Sequence, residues 1–339
     1  MLAAVFQGKG LIEVKEADIR RPGPDEVLLR IAACGICGTD LHIYHGDQGA
    51  AACPPGTILG HEFSGTIVEA GSAVDTLRPG DVVAVDPNSP CGACPPCLAG
   101  KAHFCRHMVG YGTITHGGFA EFCTVRARQA YLLPETIPLE QGALAEPISC
   151  CVHGIDLCRI QPGDTVLVIG AGTIGLLMIQ LALRAGASRV VVLEPVASKH
   201  AAARSCGASL CLDPTIVDAA AKMARLGVPP VNIAIECVGL AATAREAIRL
   251  TGDGGTVMLF GLTPPDCEIP IKPFDLFRRE LHITASFINP YTFSRALRLM
   301  EGGGVRADSV IGARVPLAGI REAFEDPQIR TLGKVLVVP

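Results

Sequence analysis

Four cysteines, Cys91, Cys94, Cys97 and Cys105, stand in the stretch "CGACPPCLAGKAHFC", separated by two, two and seven residues. Thiolates this close can surround one Zn²⁺ tetrahedrally and leave no open position, the pattern of a structural metal site. A four-cysteine iron–sulfur cluster and a pair of disulfides are the competing readings. The Gly, Pro and Ala between the cysteines suit a tight lobe around one ion, and no separate segment offers cysteines for a second cluster, which favours structural zinc. A closed lobe does no chemistry, so the reactive centre is expected elsewhere.

Outside the lobe, "CGICGTDLHIY" holds Cys37, Thr39, Asp40 and His42, "GHEFSG" holds His61 and Glu62, and "LAEPISC" holds Glu146. A catalytic zinc takes about three protein ligands and keeps a position for water or substrate. Cys37 and His61 offer a thiolate and an imidazole, and Glu146 can add a carboxylate. Singly these residues say little, because a lone cysteine is usually a small buried hydrophobe and a lone histidine a hydrogen-bonded structural residue. The cysteines with no such context, Cys123, Cys150, Cys151, Cys158, Cys206, Cys211, Cys237 and Cys267, are expected to be buried hydrophobes in a reduced chain.

Gly170, Gly172 and Gly175 spell GxGxxG in "VLVIGAGTIGLL", with Thr173 and Ile174 inside the same turn. The match follows an expected strand and opens an expected helix, the context that separates a dinucleotide site from three incidental glycines. The first glycine makes the tight turn, the second lets backbone approach pyrophosphate and the third lets helix pack on strand. Glu194 ends the next strand, 19 residues past Gly175. A carboxylate there accepts hydrogen bonds from ribose hydroxyls and repels a 2′-phosphate, so NAD is expected over NADP. The competing reading is an ordinary strand-end acid, and Lys199 can line the same pocket.

Two kinds of scaffold must position these groups. From Thr165 onward, "TVLVI", "RVVVL", "VNIAIEC", "GTVMLF" and "LHITAS" alternate with helical stretches, which predicts a doubly wound parallel sheet covered on both faces. Before about residue 147, short strand-like segments such as "DEVLLRIAAC", "FSGTIVEAG", "DVVAVD" and "GFAEFCTV" are punctuated by Gly and Pro and predict an irregular β-rich domain. The C-terminal "GKVLVVP" reads as a strand whose partner the pattern does not identify, after a helix near Tyr291–Gly302.

The 339 residues suffice for about two domains, and 49% hydrophobic with 18% charged residues describe a well-buried globular protein. A net charge of −4 gives no reason to expect nucleic acid or an anionic membrane as partner. Lys9, Glu13 and Lys15 interrupt the N-terminus before any signal-peptide core, so a cytoplasmic, reduced chain is expected. The uncharged run Thr165 to Leu183 is broken by "GAG" and reads as strand, turn and helix rather than a membrane span.

Taken jointly and in order, "CGICGTDLH", "GHEFSGTIVEAG", the cysteine lobe, "GGFAEF", "AEP", "GAGTIGLL" and "ECVG" resemble the zinc-dependent medium-chain alcohol dehydrogenases over nearly the whole chain. The resemblance implies an α/β protein with a GroES-like β-rich catalytic domain, residues 1–147 and 288–339, and an inserted Rossmann NAD-binding domain, residues 148–287. It implies two zinc ions per chain. Cys37 and His61 would be ligands of the catalytic one, with Glu62 and Glu146 sharing the carboxylate role directly or through water. Thr39 would hydrogen-bond the substrate oxygen, His42 would pass its proton to solvent, Asp40 would be a supporting acid, and Val238 would lie against the nucleotide.

Glu146, "DPNSPCGAC" and "SFINPYTFSRAL" look most like the sorbitol and polyol branch, although "CGTDLHIY" is also similar to threonine dehydrogenases. The implied reaction is oxidation of a secondary alcohol of a polyol to a ketone by NAD, with L-threonine or a vicinal diol as the alternative substrate. Tyr44, His45 and Asn289 are further polar groups expected near the substrate. Relatives lacking zinc reduce activated double bonds, which Cys37, His61 and Glu146 argue against, and a nucleotide-sensing protein on the same fold is the non-enzyme alternative. A homo-oligomer, dimer or tetramer, is expected.

Overall fold

The computed structural model describes residues 1–47, 53–331 and 333–339. The chain forms two compact units, one of Met1–Ser149, Asn289–Gly303 and Ile311–Pro339, the other of Cys150–Ile288 and Gly304–Val310.

The first unit is built on the strand Glu26–Gly35, whose aliphatic run "VLLRIAAC" is buried along most of its length. It pairs antiparallel with Glu62–Ala70, with Phe122–Arg126 and with the C-terminal strand Lys334–Val338, inside a sheet of seven strands. The register sets Cys34 opposite Phe63 on one side and Val337 on the other, and Gly35 opposite Glu62 and Leu336. Leu29, Phe63, Ile67, Phe119 and Phe324 fill the core of this unit. Each such side chain contributes about 1.5–3 kcal/mol by leaving water. The C-terminal strand therefore has its partners: Glu26–Gly35, and Ile311–Pro316 running parallel to it.

A buried polar network ties the return segment of this unit to its first part. Asn289, 2% exposed, donates from Nδ2 to Asp86 Oδ1 (3.2 Å) and Ser149 Oγ (2.8 Å), and its Oδ1 accepts from Asn88 Nδ2 (2.8 Å). Thr292 Oγ1 donates to the Ser149 carbonyl (2.7 Å). Burial pushes the Asp86 carboxyl up to about 6, against the hydrogen bonds it accepts from Asn88 and Asn289. A carboxyl raised in the folded state binds its proton more tightly there than in the unfolded chain. Stability is therefore lost as pH rises from about 4 through about 6, by an amount on the order of 2–3 kcal/mol. Asp86→Asn keeps the Oδ1 acceptor and removes the charge. Its melting temperature relative to the wild type is expected to climb between pH 4 and pH 7, and a difference that stays flat across that range would show that Asp86 is not titrating there.

The second unit is a six-stranded parallel sheet in the order Leu210–Leu212, Arg189–Leu193, Thr165–Ile169, Val231–Glu236, Thr251–Leu259, His282–Ala285. All five residues of Thr165–Ile169 are buried, as a strand covered on both faces requires. The chain winds outward from this strand to one edge and returns to Val231–Glu236 on its other side, so the carboxyl ends of these two strands frame a topological switch point, where doubly wound sheets bind ligands. Thr165 to Leu183 resolves into that strand and the helix Thr173–Arg184, and no helix among the described residues is long and apolar enough to cross a membrane.

None of the fifteen cysteines is joined in a disulfide, which removes disulfides as an account of the lobe. Burial pushes the Cys123 and Cys158 thiols up to about 12, as expected of inert core residues, whereas Cys150, Cys237 and Cys267 are only half-buried.

Candidate functional site

Cys37 ends the loop after the central strand and opens the helix Gly38–His45, and its N–H donates to Asp40 Oδ2 at 2.8 Å. Asp40 is fully buried, and its other oxygen lies 3.3 Å from His61 Nδ1. The carboxylate thus lies against the Nδ1 edge of the imidazole, within ion-pair distance, and leaves Nε2 to serve as a ligand. Gly60 reaches His61 through a left-handed turn, φ +91°, where a Cβ would come within 2.6 Å of Cys34 Sγ. Glu62 then begins its strand directly across from Gly35.

One sulfur, nitrogen and oxygen from Cys37, His61 and Glu62 all lie within 4.8 Å of one another. Burial works against a charged His61, but Asp40 and the Cys37 sulfur outweigh it and hold the imidazole well above its ordinary pKa. A buried pocket this rich in negative charge draws a cation, and its S, N and O donors are those zinc takes. The residues fit the metal. Glu146, at the start of the helix Ala145–Cys158 and 7% exposed, stands outside this three-residue cluster but close enough to Lys334 to raise that ammonium's proton affinity.

Thr39 and His42 lie three residues apart on the helix that Cys37 opens, which places them on one face. Both are half-buried, and His42 Nδ1 sits 3.1 Å from the exposed carboxylate of Asp47. Tyr44 is turned away from this role: its hydroxyl donates to Glu325 (2.9 Å) and its ring packs edge-on against Phe324. Asn289 is likewise spent in the Asp86 network, and His45 is exposed beside the Tyr44 ring.

In the cysteine lobe the Cys94 sulfur lies 3.4 Å from Cys97 and 3.8 Å from Cys105, close to the spacing of about 3.8 Å that tetrahedral Zn–S bonds of ≈ 2.3 Å imply. Backbone amides point at the sulfurs, from Cys91 to Cys105 (3.2 Å), from Cys94 to Cys91 (3.4 Å) and from His107 to Cys105 (3.4 Å). The Cys97 and Arg106 amides pull the Cys94 thiol down, favouring there the thiolate a metal needs, while burial and the Cys94 sulfur push the neighbouring Cys97 up.

The glycine turn lies in the second unit, between Ile169 and the helix Thr173–Arg184. Gly170 adopts φ +96°, a Cβ on Gly175 would overlap the Gly170 carbonyl, and the space beside Gly172 is open. Thr173 and Ile174 form the first turn of that helix, at whose N-terminus a pyrophosphate is favoured. Glu194, 4% exposed, accepts from the Ala171 N–H of this turn (2.8 Å) and from the Val196 N–H (2.9 Å). Lys199, half-buried, closes the short helix Ala197–Lys199. Val238, 44% exposed, stands over Gly170, and it is held there by a residue that pattern reading passed over. Glu236, 1% exposed, accepts at one oxygen from the Val238 and Gly239 N–H groups and from Thr243 Oγ1, all within 2.9 Å. A strand-end acid before Gly was the available signal.

Residues 23–135 match the family described as the alcohol dehydrogenase GroES-like domain, and residues 173–302 match that described as zinc-binding dehydrogenase. D-arabinitol dehydrogenase 1 of Uromyces fabae is 33% identical, over 100% of this chain and 97% of its own length. The chain belongs to the zinc-dependent medium-chain alcohol dehydrogenases. Sorbitol dehydrogenase of Ovis aries is 33% identical over 96% of this chain and 92% of its own. Among solved structures, a zinc-binding dehydrogenase from Sinorhizobium meliloti 1021, bound to NADP, is 41% identical with a TM-score of 0.95, covering 100% of this chain and 99% of its own. Membership makes this dehydrogenase an oxidoreductase that uses zinc and a nicotinamide cofactor.

Proposed function

We propose that the protein oxidises a secondary hydroxyl of a polyol or sugar alcohol to the ketone, with NAD as hydride acceptor. The observation that carries this reading is the Cys37, His61 and Glu62 donor cluster in a chain of this family, and relatives named for arabinitol and sorbitol support the substrate class. Zinc at that cluster and a nicotinamide at the glycine turn would supply a Lewis acid, which lets an alcohol lose its proton near neutral pH, and a hydride acceptor.

The chain's own groups do the rest. Cys37, His61 and Glu62 hold the reactive metal, and Asp40 fixes the imidazole. Thr39 hydrogen-bonds the substrate hydroxyl, and His42 carries the proton outward toward Asp47 and solvent. Cys91, Cys94, Cys97 and Cys105 hold the second zinc. The deciding experiment is NADH formation across four- to six-carbon polyols, cyclitols, 2,3-butanediol and L-threonine. Saturable activity with a polyol is expected. Activity confined to threonine would refute the substrate class, and none with any alcohol, despite bound zinc and NAD, would favour nucleotide sensing.

Glu194 supports NAD over NADP, because its buried carboxylate is fixed on the glycine turn where a 2′-phosphate would bring more negative charge. The NADP-bound relative makes the preference worth measuring in this chain. Glu194→Ser is expected to raise the kcat/KM ratio of NADP⁺ to NAD⁺ by about tenfold or more, equivalent to about 1.4 kcal/mol. A wild-type ratio already favouring NADP⁺ would overturn the assignment.

Self-association is proposed along the edge strand His282–Ala285, beside which Phe274 and Phe277 are 70% and 80% exposed on the helix Pro273–Arg279. A monomeric mass in solution would exclude it.

A further inference from the structure

Lysine and glutamate are almost never fully buried unless paired. Lys334 is 5% exposed and Glu62 1%. The Lys334 ammonium donates to Oε1 of Glu62 (2.7 Å) and to the Ile36 carbonyl (3.0 Å), and it lies 2.6 Å from Glu62 Oε2, which accepts no hydrogen bond. The backbone is shaped for this pair. Gly35 separates the two strands that carry it, and a Cβ there would overlap Glu62 Oε2 and approach Lys334 Cδ to 3.2 Å.

Glu62 is thus a carboxylate with two claimants, the fixed ammonium and the cation position marked by Cys37 and His61. A carboxylate whose two oxygens both lie against an ammonium is a poorer metal donor than an unpaired one, because part of its charge is neutralised and the ion pair must be shared or stretched.

We propose that Lys334 is a positioning residue that holds Glu62 as a displaceable third donor, so that Glu62 does not close the coordination position the substrate needs. This rests on the placement of zinc at Cys37, His61 and Glu62 proposed above.

The test is zinc release from the zinc-loaded protein into a chelator, reading the kinetic phase that is absent in Cys37→Ser. Lys334→Met frees Glu62 to bind the metal fully, so release should slow by about tenfold or more, with kcat falling. A merely structural lysine would do the opposite, loosening the site and speeding release. In a Glu62→Gln background the same substitution should change release by less than about twofold, and Lys334→Arg should restore wild-type behaviour. Lys334→Gln, which keeps a donor for the Ile36 carbonyl, gives the same comparison should the Met variant not fold. Release as fast as wild type, or equal slowing in both backgrounds, would overturn the proposal. Metal analysis separates the two readings. Wild type holding only the lobe zinc removes the site and this inference with it, whereas two zincs with an unmoved release rate overturn the inference alone.

Discussion

Cys37→Ser is expected to give a folded protein that has lost one of two zincs and nearly all turnover. Cys37 is half-buried at a helix start, not in the core, and its backbone bond to Asp40 does not depend on its sulfur. The fold should therefore survive with little change in melting temperature. The sulfur is another matter, since it is the softest donor in a cluster otherwise made of His61 and Glu62. Losing the metal removes several kcal/mol of stabilisation of the developing charge, a fall on the order of 10³ in kcat or more. Metal analysis beside steady-state kinetics checks it. A serine variant with two zincs, or with one zinc and full activity, would show that the reactive metal is not held there.

Cys94→Ser should fail in the opposite way, through stability first. Cys94 caps the short helix Pro95–Leu98, and its sulfur lies 3.4 Å from Cys97 and 3.8 Å from Cys105. Four residues of helix cannot hold themselves in water, so the lobe's order is expected to depend on the zinc proposed for it. Structural zinc contributes about 10–16 kcal/mol in small zinc-folded peptides, and even a fraction of that exceeds what the lobe's few buried side chains could replace. The expected result is loss of one zinc, a lowered melting temperature and a lobe open to protease. If the serine variant kept both zincs and melted like the wild type, the four-cysteine cluster would not be a folding element.

How much of this was legible beforehand depended on how local each feature is. The cysteine lobe and the glycine turn are short stretches in which spacing dictates geometry, and both emerged with the expected residues together. The strands "TVLVI" and "RVVVL" were readable to the residue because buried parallel strands are continuous apolar runs. Side-chain direction was not readable. Tyr44 and Asn289 are polar and near the right elements, yet one is committed to Glu325 and the other to Asp86, partners 281 and 203 residues away. Lys334 escaped notice for the same reason: nothing in "GKVLVVP" announces a carboxylate 272 positions earlier, and only the pairing of strands brings it there. Glu194 was recognised as an acid in the right place, but its two backbone hydrogen bonds belong to the folded turn.

The central strand of the first unit is completed by the last strand of the chain, with Cys34 and Gly35 bonded to Val337 and Leu336 across some three hundred residues. During synthesis, almost all of the second unit has left the ribosome and can fold as a contiguous block while the sheet around Cys37, His61 and Glu62 still lacks an edge. Contacts of such long range are also the slowest to form. Cys37, His61 and Glu62 are therefore made long before Lys334, which lies 272 positions beyond Glu62, and the ion pair between Glu62 and Lys334 can form only after the strands of the second unit have been made.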